Sequence, residues 1–330
     1  MPLTTDPATS VDVAVVEDVW GKPFEDLAQR HTVVHEPTAW ADPERLVALA
    51  RGARALVVRN RTQVTGELLA QCPQLRVVAR AGVGLDNIDL AAAEQAGVTV
   101  VSPRGANSQS VAELALAMAL ALARRVAVLD ADCRQGGWDR TPGRELAGGV
   151  WGLLGAGATS LATARLARAL DMTVVAYDPY RPATDPELAA AGVQLAPLQT
   201  VVTQADVLSC HLPGTPETHR LVNAELLAQV RSGAFFVNVG RGDVVDEDAL
   251  ADALESGRLA GAGLDVRTDE PPKAGRLERL PNVVLTPHIA GLTAASQERI
   301  MRALADDVGA VLAGEPARNA VGPVSGEAVA

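Results

Sequence analysis

Three polar residues each stand just past a valine-rich apolar run in the second half of the chain. Arg241 follows Phe235–Gly240, Glu270 follows Gly261–Val266, and His288 follows Val283–Pro287. A carboxylate beside an imidazole favours the protonated ring and fixes its tautomer, which makes the pair a proton donor and acceptor. A guanidinium binds a carboxylate bidentately and polarises a neighbouring carbonyl. Further upstream, Leu153-Leu154-Gly155-Ala156-Gly157-Ala158-Thr159-Ser160 ends an apolar run and opens a helical pattern, and Asp178 closes the next apolar run, Thr173–Tyr177. Strand, glycine turn, helix, strand and terminal acid make a dinucleotide-binding unit. Gly155 permits the tight turn, and Gly157 lets backbone approach a pyrophosphate at the positive end of the helix. Asp178 accepts from ribose hydroxyls and repels a 2′-phosphate, so the spacing points to NAD rather than NADP. An Arg and a Glu–His pair over a nicotinamide constitute a hydride-transfer site for 2-oxo or 2-hydroxy acids. Singly, each residue has a plainer reading: a structural histidine after proline, a solvated turn arginine, an exposed loop acid.

The elements that must position these groups follow from hydrophobic patterning. Val11–Glu17, Thr32–His35, Ala55–Val58, Arg76–Ala79 and Val98–Val101 read as short buried strands. Between them lie helices near Phe24–Gln29, Pro43–Ala50, Gly66–Gln71 and Leu90–Gln95. Alternation at this spacing gives a parallel doubly wound sheet. Ser108–Arg125 reads as one long helix, with Ser110 and Glu113 at capping-box spacing. A second series has strands at Trp151–Leu154, Thr173–Tyr177, Val193–Leu195, Val207–His211, Phe235–Val239, Gly261–Val266 and Val283–Thr286. Its helices include Leu161–Leu170, Ala224–Val230 and Glu247–Ser256. Leu292–Val311 reads as a final long helix that returns to the first domain, and Gly314–Ala330 as a loose tail. The expected fold is α/β: two Rossmann-like doubly wound parallel-sheet domains with the active-site cleft between them. Residues 1–103 and 292–330 form a discontinuous substrate-binding domain, and residues 104–291 an NAD-binding domain.

Composition narrows the function classes. A formal charge of −11 over 330 residues, without a Lys/Arg run, argues against nucleic acid as a partner. Cys72, Cys133 and Cys210 have no paired spacing, which fits reduced thiols in a cytoplasmic protein rather than disulfides or zinc. No metal-ligand spacing occurs, and His31, His35 and His219 have no evident partners. Met1–Ser10 lacks the basic and apolar regions of a signal peptide. The longest apolar stretch, Leu114–Ala123, is too short to span a bilayer.

The chain resembles the NAD-dependent D-2-hydroxyacid dehydrogenase family, most like a short D-3-phosphoglycerate dehydrogenase. The resemblance rests on Arg80–Asp89, Asn107–Glu113, His211–Thr218, Val237–Gly242, Asp265–Pro271 and Thr286–Gly291, in that order. It implies that Arg241 anchors the substrate carboxylate and carbonyl, that His288 is the acid/base, and that Glu270 is its partner. It also implies a carboxylate cradle of backbone amides at Gly82, Val83 and Gly84, and a nicotinamide carboxamide contact at Asp265. A cofactor cleft would be lined by Ala158, Thr159, His211, Pro213, Thr215 and Val239. Arg59 and Arg61 are similar to a basic pair that binds a substrate phosphate, although surface arginines at a strand end are common. 3-Phosphoglycerate and other small D-2-hydroxy acids therefore both remain open, and phosphite oxidation is not excluded by residues alone. Glu270 disfavours formate oxidation. Members are commonly homodimers that use the Ser108–Arg125 region. The partners expected are thus a small 2-hydroxy or 2-oxo acid and a second copy of the chain, with no membrane.

The chain departs from the family pattern at four places. Ser160 replaces the third glycine, where a hydroxymethyl is expected to push the helix off its strand. Thr159 replaces an aliphatic residue, and Gly149-Val150-Trp151 replaces Gly-Lys-Thr. Arg267 stands where an aromatic usually follows Asp265-Val266, and is expected to point to solvent. The damaged fingerprint keeps a second reading in view, an NAD(H)-sensing binding protein on the same scaffold with little turnover.

Overall fold

The computed structural model describes residues 11–322. The described residues up to Asn107, together with those from Ala294 on, form one compact unit, and Ser108–Thr293 form another. The amino-terminal stretch read for a signal peptide, Met1–Ser10, lies outside the described residues, as does the end of the expected tail from position 323.

The first unit is built from β1 (Val13–Val15), α1 (Lys22–Leu27), β2 (Val33–His35), α2 (Pro43–Gly52), β3 (Ala55–Val58), α3 (Gly66–Ala70), β4 (Val77–Arg80), α4 (Leu90–Gln95) and β5 (Thr99–Val101). These strands pair in parallel in the order β5-β4-β3-β1-β2. Both sheet faces are covered, so the strands read as continuous apolar runs. Val13, Val15 and Val57 face one cluster, with Phe24, Leu27, Ile300, Leu304 and Val308. Ala14, Leu56 and Val58 face the other, with Leu49, Leu68 and Leu69. Side chains start three of the helices: Asp42 accepts from Glu44 and Arg45 N–H, Thr65 from Leu68 N–H, and Asp89 from Ala92 N–H.

At the end of the chain the expected helix is present, while the expected loose tail is corrected. The final helix is Ala294–Leu312 (α12 below), and it covers a face of the first sheet. The stretch expected to be loose contains a strand, Ala320–Val321 (β13 below), paired antiparallel to β5. Asp307, 2 % exposed, holds it by accepting from Arg318 N–H and Asn319 Nδ2, both at 2.7 Å. The sheet is thus parallel except at this edge.

The second unit opens with α5 (Ser108–Ala123) and α6 (Val126–Arg134). It continues through β6 (Val150–Leu154), α7 (Ala158–Ala169), β7 (Thr173–Tyr177), α8 (Pro186–Ala191), β8 (Gln194–Leu195), α9 (Leu198–Gln204) and β9 (Val207–Cys210). Then come α10 (Ala224–Gln229), β10 (Ala234–Asn238), α11 (Glu247–Glu255), β11 (Leu259–Leu264) and β12 (Val283–Leu285), and the chain passes to α12 and β13. The sheet order β12-β11-β10-β9-β6-β7-β8 is parallel throughout. Strand order reverses between β6 and β9, and the crevice past their carboxyl ends is where such sheets take ligands.

Sequence reading missed α6, α8 and α9. Ser110 is not a cap: it lies inside α5, and its hydroxyl pairs with Thr293 Oγ1 at 2.7 Å. Two of the histidines judged unpartnered have neighbours. His31 Nδ1 lies 3.9 Å from Asp12 Oδ2, and the His35 ring stacks on Trp20 with centroids 4.7 Å apart.

Candidate active site

Glu270 and His288 meet where two loops leave adjacent strands, β11 and β12. Glu270 Oε2 lies 2.7 Å from His288 Nδ1, and both side chains keep partial solvent access. Glu270 Oε1 accepts from Arg267 N–H at 3.1 Å, which fixes the carboxylate plane. His288 has a φ of 53°, in the left-handed region. Its turn is held from below by Asp265, 1 % exposed, whose carbonyl accepts His288 N–H at 2.8 Å. The Asp265 carboxylate accepts from Thr286 Oγ1, Ile289 N–H and Ala290 N–H. Asp265 thus organises the His288 turn, a part its sequence position did not reveal.

Arg241 follows β10, the next strand inward. Its Nη1 donates to Gly240 O at 2.9 Å. Asn238, 1 % exposed, locks this turn by donating from Nδ2 to Arg241 O (2.9 Å) and accepting Gly240 N–H on Oδ1 (3.1 Å). Sequence reading overlooked Asn238, although a buried amide at the end of a valine-rich strand was itself a signal. Gly242 presses against the Arg267 loop: a Cβ there would come within 2.0 Å of Arg267 C and O. Only glycine permits that approach.

Arg267 corrects the expectation of a solvent-facing side chain, since that side chain is 8 % exposed. Its guanidinium meets Glu247 through Nε (3.0 Å) and Nη2 (2.8 Å), and meets Glu278 through Nη1. Hydrogen bonding to Glu247, and then to Glu278, pushes the Arg267 pKa further up. Burial alone would raise the Glu247 carboxyl, and the Arg267 guanidinium together with hydrogen bonds from Thr268 outweighs it, leaving that pKa low.

The glycine turn fits a dinucleotide. Gly155 adopts φ 92°, which favours glycine, and Gly157 begins α7 with no side-chain cap on its N–H groups. Asp178 Oδ2 accepts from Ala156 N–H and Oδ1 from Tyr180 N–H, each at 2.9 Å, and each oxygen retains a lone pair for a ribose hydroxyl. The nearby cation is already claimed: Arg181 bonds Asp185, Glu187 and the Ala156 carbonyl, which leaves little for a 2′-phosphate. Past β9, His211 Nδ1 is buried without a partner, and burial pushes its pKa down to about 3. Its Nε2 lies 3.0 Å from Ser209 Oγ, which accepts from Trp151 Nε1 at 2.8 Å. The residue replacing the family's usual threonine is therefore a hydrogen-bonded core side chain. Ser160 is fully buried while Leu161, Ala164 and Ala167 keep α7 seated in the core, so the hydroxymethyl does not lift the helix. Ala158 and Thr159 form the first turn of α7. Pro213 O and Thr215 N–H both bond Thr218 Oγ1, and Val239 is buried at the end of β10.

The remaining candidates lie in the first unit. Arg59 donates to Asp18 O and to Gln297 Oε1, whereas Arg61 stacks over the Trp40 ring at 4.5 Å. Glu17, 3 % exposed, accepts the backbone N–H groups of Arg59, Asn60, Arg61 and Thr62. Burial would raise the Glu17 carboxyl, and these donors outweigh it to hold the pKa low. The Gly82–Gly84 loop follows β4; Ser102 Oγ donates to Gly82 O, and the Arg80 guanidinium lies against Gly82. Among the described residues no group of His, Cys, Asp or Glu is arranged to hold a metal, and no helix is long and apolar enough to cross a membrane.

The model of the D-isomer specific 2-hydroxyacid dehydrogenase NAD-binding domain matches residues 116–290. D-3-phosphoglycerate dehydrogenase of Mycobacterium tuberculosis is 43% identical over 282 residues, covering 85% of this chain and 53% of that one. The chain therefore spans about half the length of the D-3-phosphoglycerate dehydrogenases it matches. Hydroxypyruvate reductase of Thermotoga maritima is 38% identical over 264 residues, covering 78% of this chain and 85% of that one. The crystal structure of D-lactate dehydrogenase from Aquifex aeolicus, complexed with NAD and lactic acid, superposes with a TM-score of 0.80 at 29% identity, covering 92% of this chain and 96% of that one. With an NAD-binding domain matched over more than half its length and its Glu–His pair in contact, the chain belongs to the D-isomer specific 2-hydroxyacid dehydrogenase family.

Proposed function

We propose that the protein is an NAD-dependent oxidoreductase that interconverts a small D-2-hydroxy acid and its 2-oxo acid. The observation that carries this reading is the 2.7 Å contact between Glu270 Oε2 and His288 Nδ1, set past the carboxyl ends of a dinucleotide-binding sheet. Bound NADH supplies the hydride. Arg241 binds the substrate carboxylate and polarises the carbonyl to be reduced. Glu270 holds Nδ1, so Nε2 of His288 is the atom that protonates the developing alkoxide, and in oxidation it takes that proton back. A positioned acid/base of this kind contributes about 10²–10⁴ in rate. Gly155, Gly157, Ala158 and Thr159 would bind the pyrophosphate, Asp178 the ribose, and His211, Pro213, Thr215, Val239 and Asp265 the rest of the cofactor.

For the substrate we infer a carboxylate held by Gly82, Val83 and Gly84 amides, and a phosphorylated three-carbon acid favoured by Arg59 and Arg61. Names of relatives support both a phosphoglycerate and a hydroxypyruvate chemistry. The working assembly is a homodimer, consistent with exposed Leu120, Val126 and Trp138 in and after α5. The cytoplasm is the proposed compartment: buried Cys72 and Cys210 and exposed Cys133 are all free thiols.

One experiment tests the chemistry: NADH and NADPH consumption against a panel of 2-oxo acids including 3-phosphohydroxypyruvate, for the parent and for His288→Ala. Turnover with NADH, abolished in His288→Ala while NADH binding persists, is expected. Undiminished turnover in that variant would refute the assignment. A preference for the phosphorylated acid that disappears in Arg59→Ala and Arg61→Ala would identify those residues as the phosphate contacts.

A further inference from the structure

We propose that Arg267 is a positioning residue that locks the Glu270 loop and the Arg241 turn into one rigid body. The proposal rests on the acid/base reading of Glu270 and His288. Arg267 touches no reacting atom; its influence passes through the backbone on either side of its buried guanidinium. On one side, its N–H donates to Glu270 Oε1 while Glu270 Oε2 meets His288 Nδ1. On the other, its carbonyl carbon and oxygen lie against Gly242, the residue after Arg241.

What fixes this backbone is the side chain. Glu247, in the first turn of α11, takes both Nε and Nη2, and its Oε1 also accepts Thr268 N–H at 2.9 Å. Glu278 takes Nη1 and closes the far end of the loop, where its Oε2 accepts Gly275 N–H at 2.7 Å. A planar guanidinium with a fixed fork of donors spans two carboxylates at once; a lysine ammonium, a point donor on a flexible stem, does so less rigidly. The α11 helix begins directly behind the Arg241–Val245 turn. The Arg267–Glu247 contact therefore ties the loop carrying the acid/base carboxylate to the helix that follows the substrate anchor. An aromatic at this position has at most one donor, so it could not bridge both carboxylates as the guanidinium does.

The test compares Arg267→Met, Arg267→Lys and Glu247→Gln in the full chain with His288→Ala. In ligand-free protein, the Nδ1 proton of His288 held by Glu270 gives a downfield NMR resonance, assigned by its loss in Glu270→Gln. That resonance should broaden or vanish in Arg267→Met, weaken in Glu247→Gln and be partly restored in Arg267→Lys. In turnover, kcat should fall by about 10- to 100-fold in Arg267→Met. KM for NADH should stay unchanged, and the isotope effect with 4-deuterated NADH should rise as the chemical step becomes limiting. A role confined to stability would lower the melting temperature without moving the resonance or the isotope effect, and that result would overturn the proposal. If Arg267→Met does not fold, Glu247→Gln decides: an unchanged resonance and kcat would overturn it as well. Full turnover in His288→Ala would instead remove the acid/base reading, so the two failures are distinguishable.

Discussion

His288 keeps a backbone conformation that costs a non-glycine residue of order 1–3 kcal/mol, and such strain persists only where neighbours over-determine it. Asp265 does so here, with three hydrogen bonds to the carboxylate and one to the carbonyl. Asn238 does the equivalent for Arg241 with two. Replacing Asn238 by Ala would leave a buried Gly240 N–H without its acceptor, costing about 1–3 kcal/mol. Urea unfolding should show that loss, and KM for the 2-oxo acid should rise as the Arg241 turn loosens. A variant with parental stability and KM would remove Asn238 from the site. Arg241, Glu270 and His288 were legible as candidates because each stands within a few residues of the end of an apolar run, past the carboxyl end of a strand. Asn238 and the backbone duties of Asp265 were not, because side-chain bonds to backbone leave no spacing in a sequence. Arg267 was misread for a related reason: its carboxylate partners lie 20 and 11 residues away.

At the scale of elements, the strands were legible to within about a residue or two, since parallel strands buried on both faces leave runs of valine and alanine. Short helices were harder. α8 and α9 span only 6 and 7 residues, too few for a helical period to show, although Asp185-Pro186 was a usable start signal for α8. The loops after β1 and β3 are joined by Glu17, whose carboxylate accepts from Arg59 to Thr62. Its pKa is lower in the folded chain than in the unfolded one. The stability it contributes is therefore complete above the unfolded carboxyl value of about 4.3 and is lost as pH falls through the lower folded value. Glu17→Gln should cost about 1–3 kcal/mol near neutrality. Urea titrations from pH 7 to pH 3 should show that difference shrinking below about pH 4. A difference independent of pH would mean that the carboxylate charge is not what the loop binds.

Across the whole molecule, the chain leaves its first unit at Asn107 and returns to it at Ala294. α12 then completes a core begun by the first strands, with Ile300, Leu304 and Val308 packed near Val13 and Val57. The order of elements pointed to that return, because a long helix follows the completed cofactor unit; β13 was missed, since its two residues carry no pattern. The dimer proposed above belongs to this scale. Sedimentation velocity should give twice the 34.2 kDa chain mass. Trp138→Asp, at a residue 82 % exposed, should shift the distribution toward the single chain. A monomeric parent protein would refute the proposal.

The buried Glu17 has one more consequence, for how this chain can diverge. The Arg59–Thr62 loop is shaped by an internal anion rather than by a ligand, so its outward side chains can be exchanged without rebuilding its path. On the proposed reading of Arg59 and Arg61 as phosphate contacts, single replacements there would change the substrate while the loop keeps its path. The loops that carry Arg241, Glu270 and His288 are tied to one another through Asp265, Arg267 and Gly242, so far fewer neutral steps are open to them.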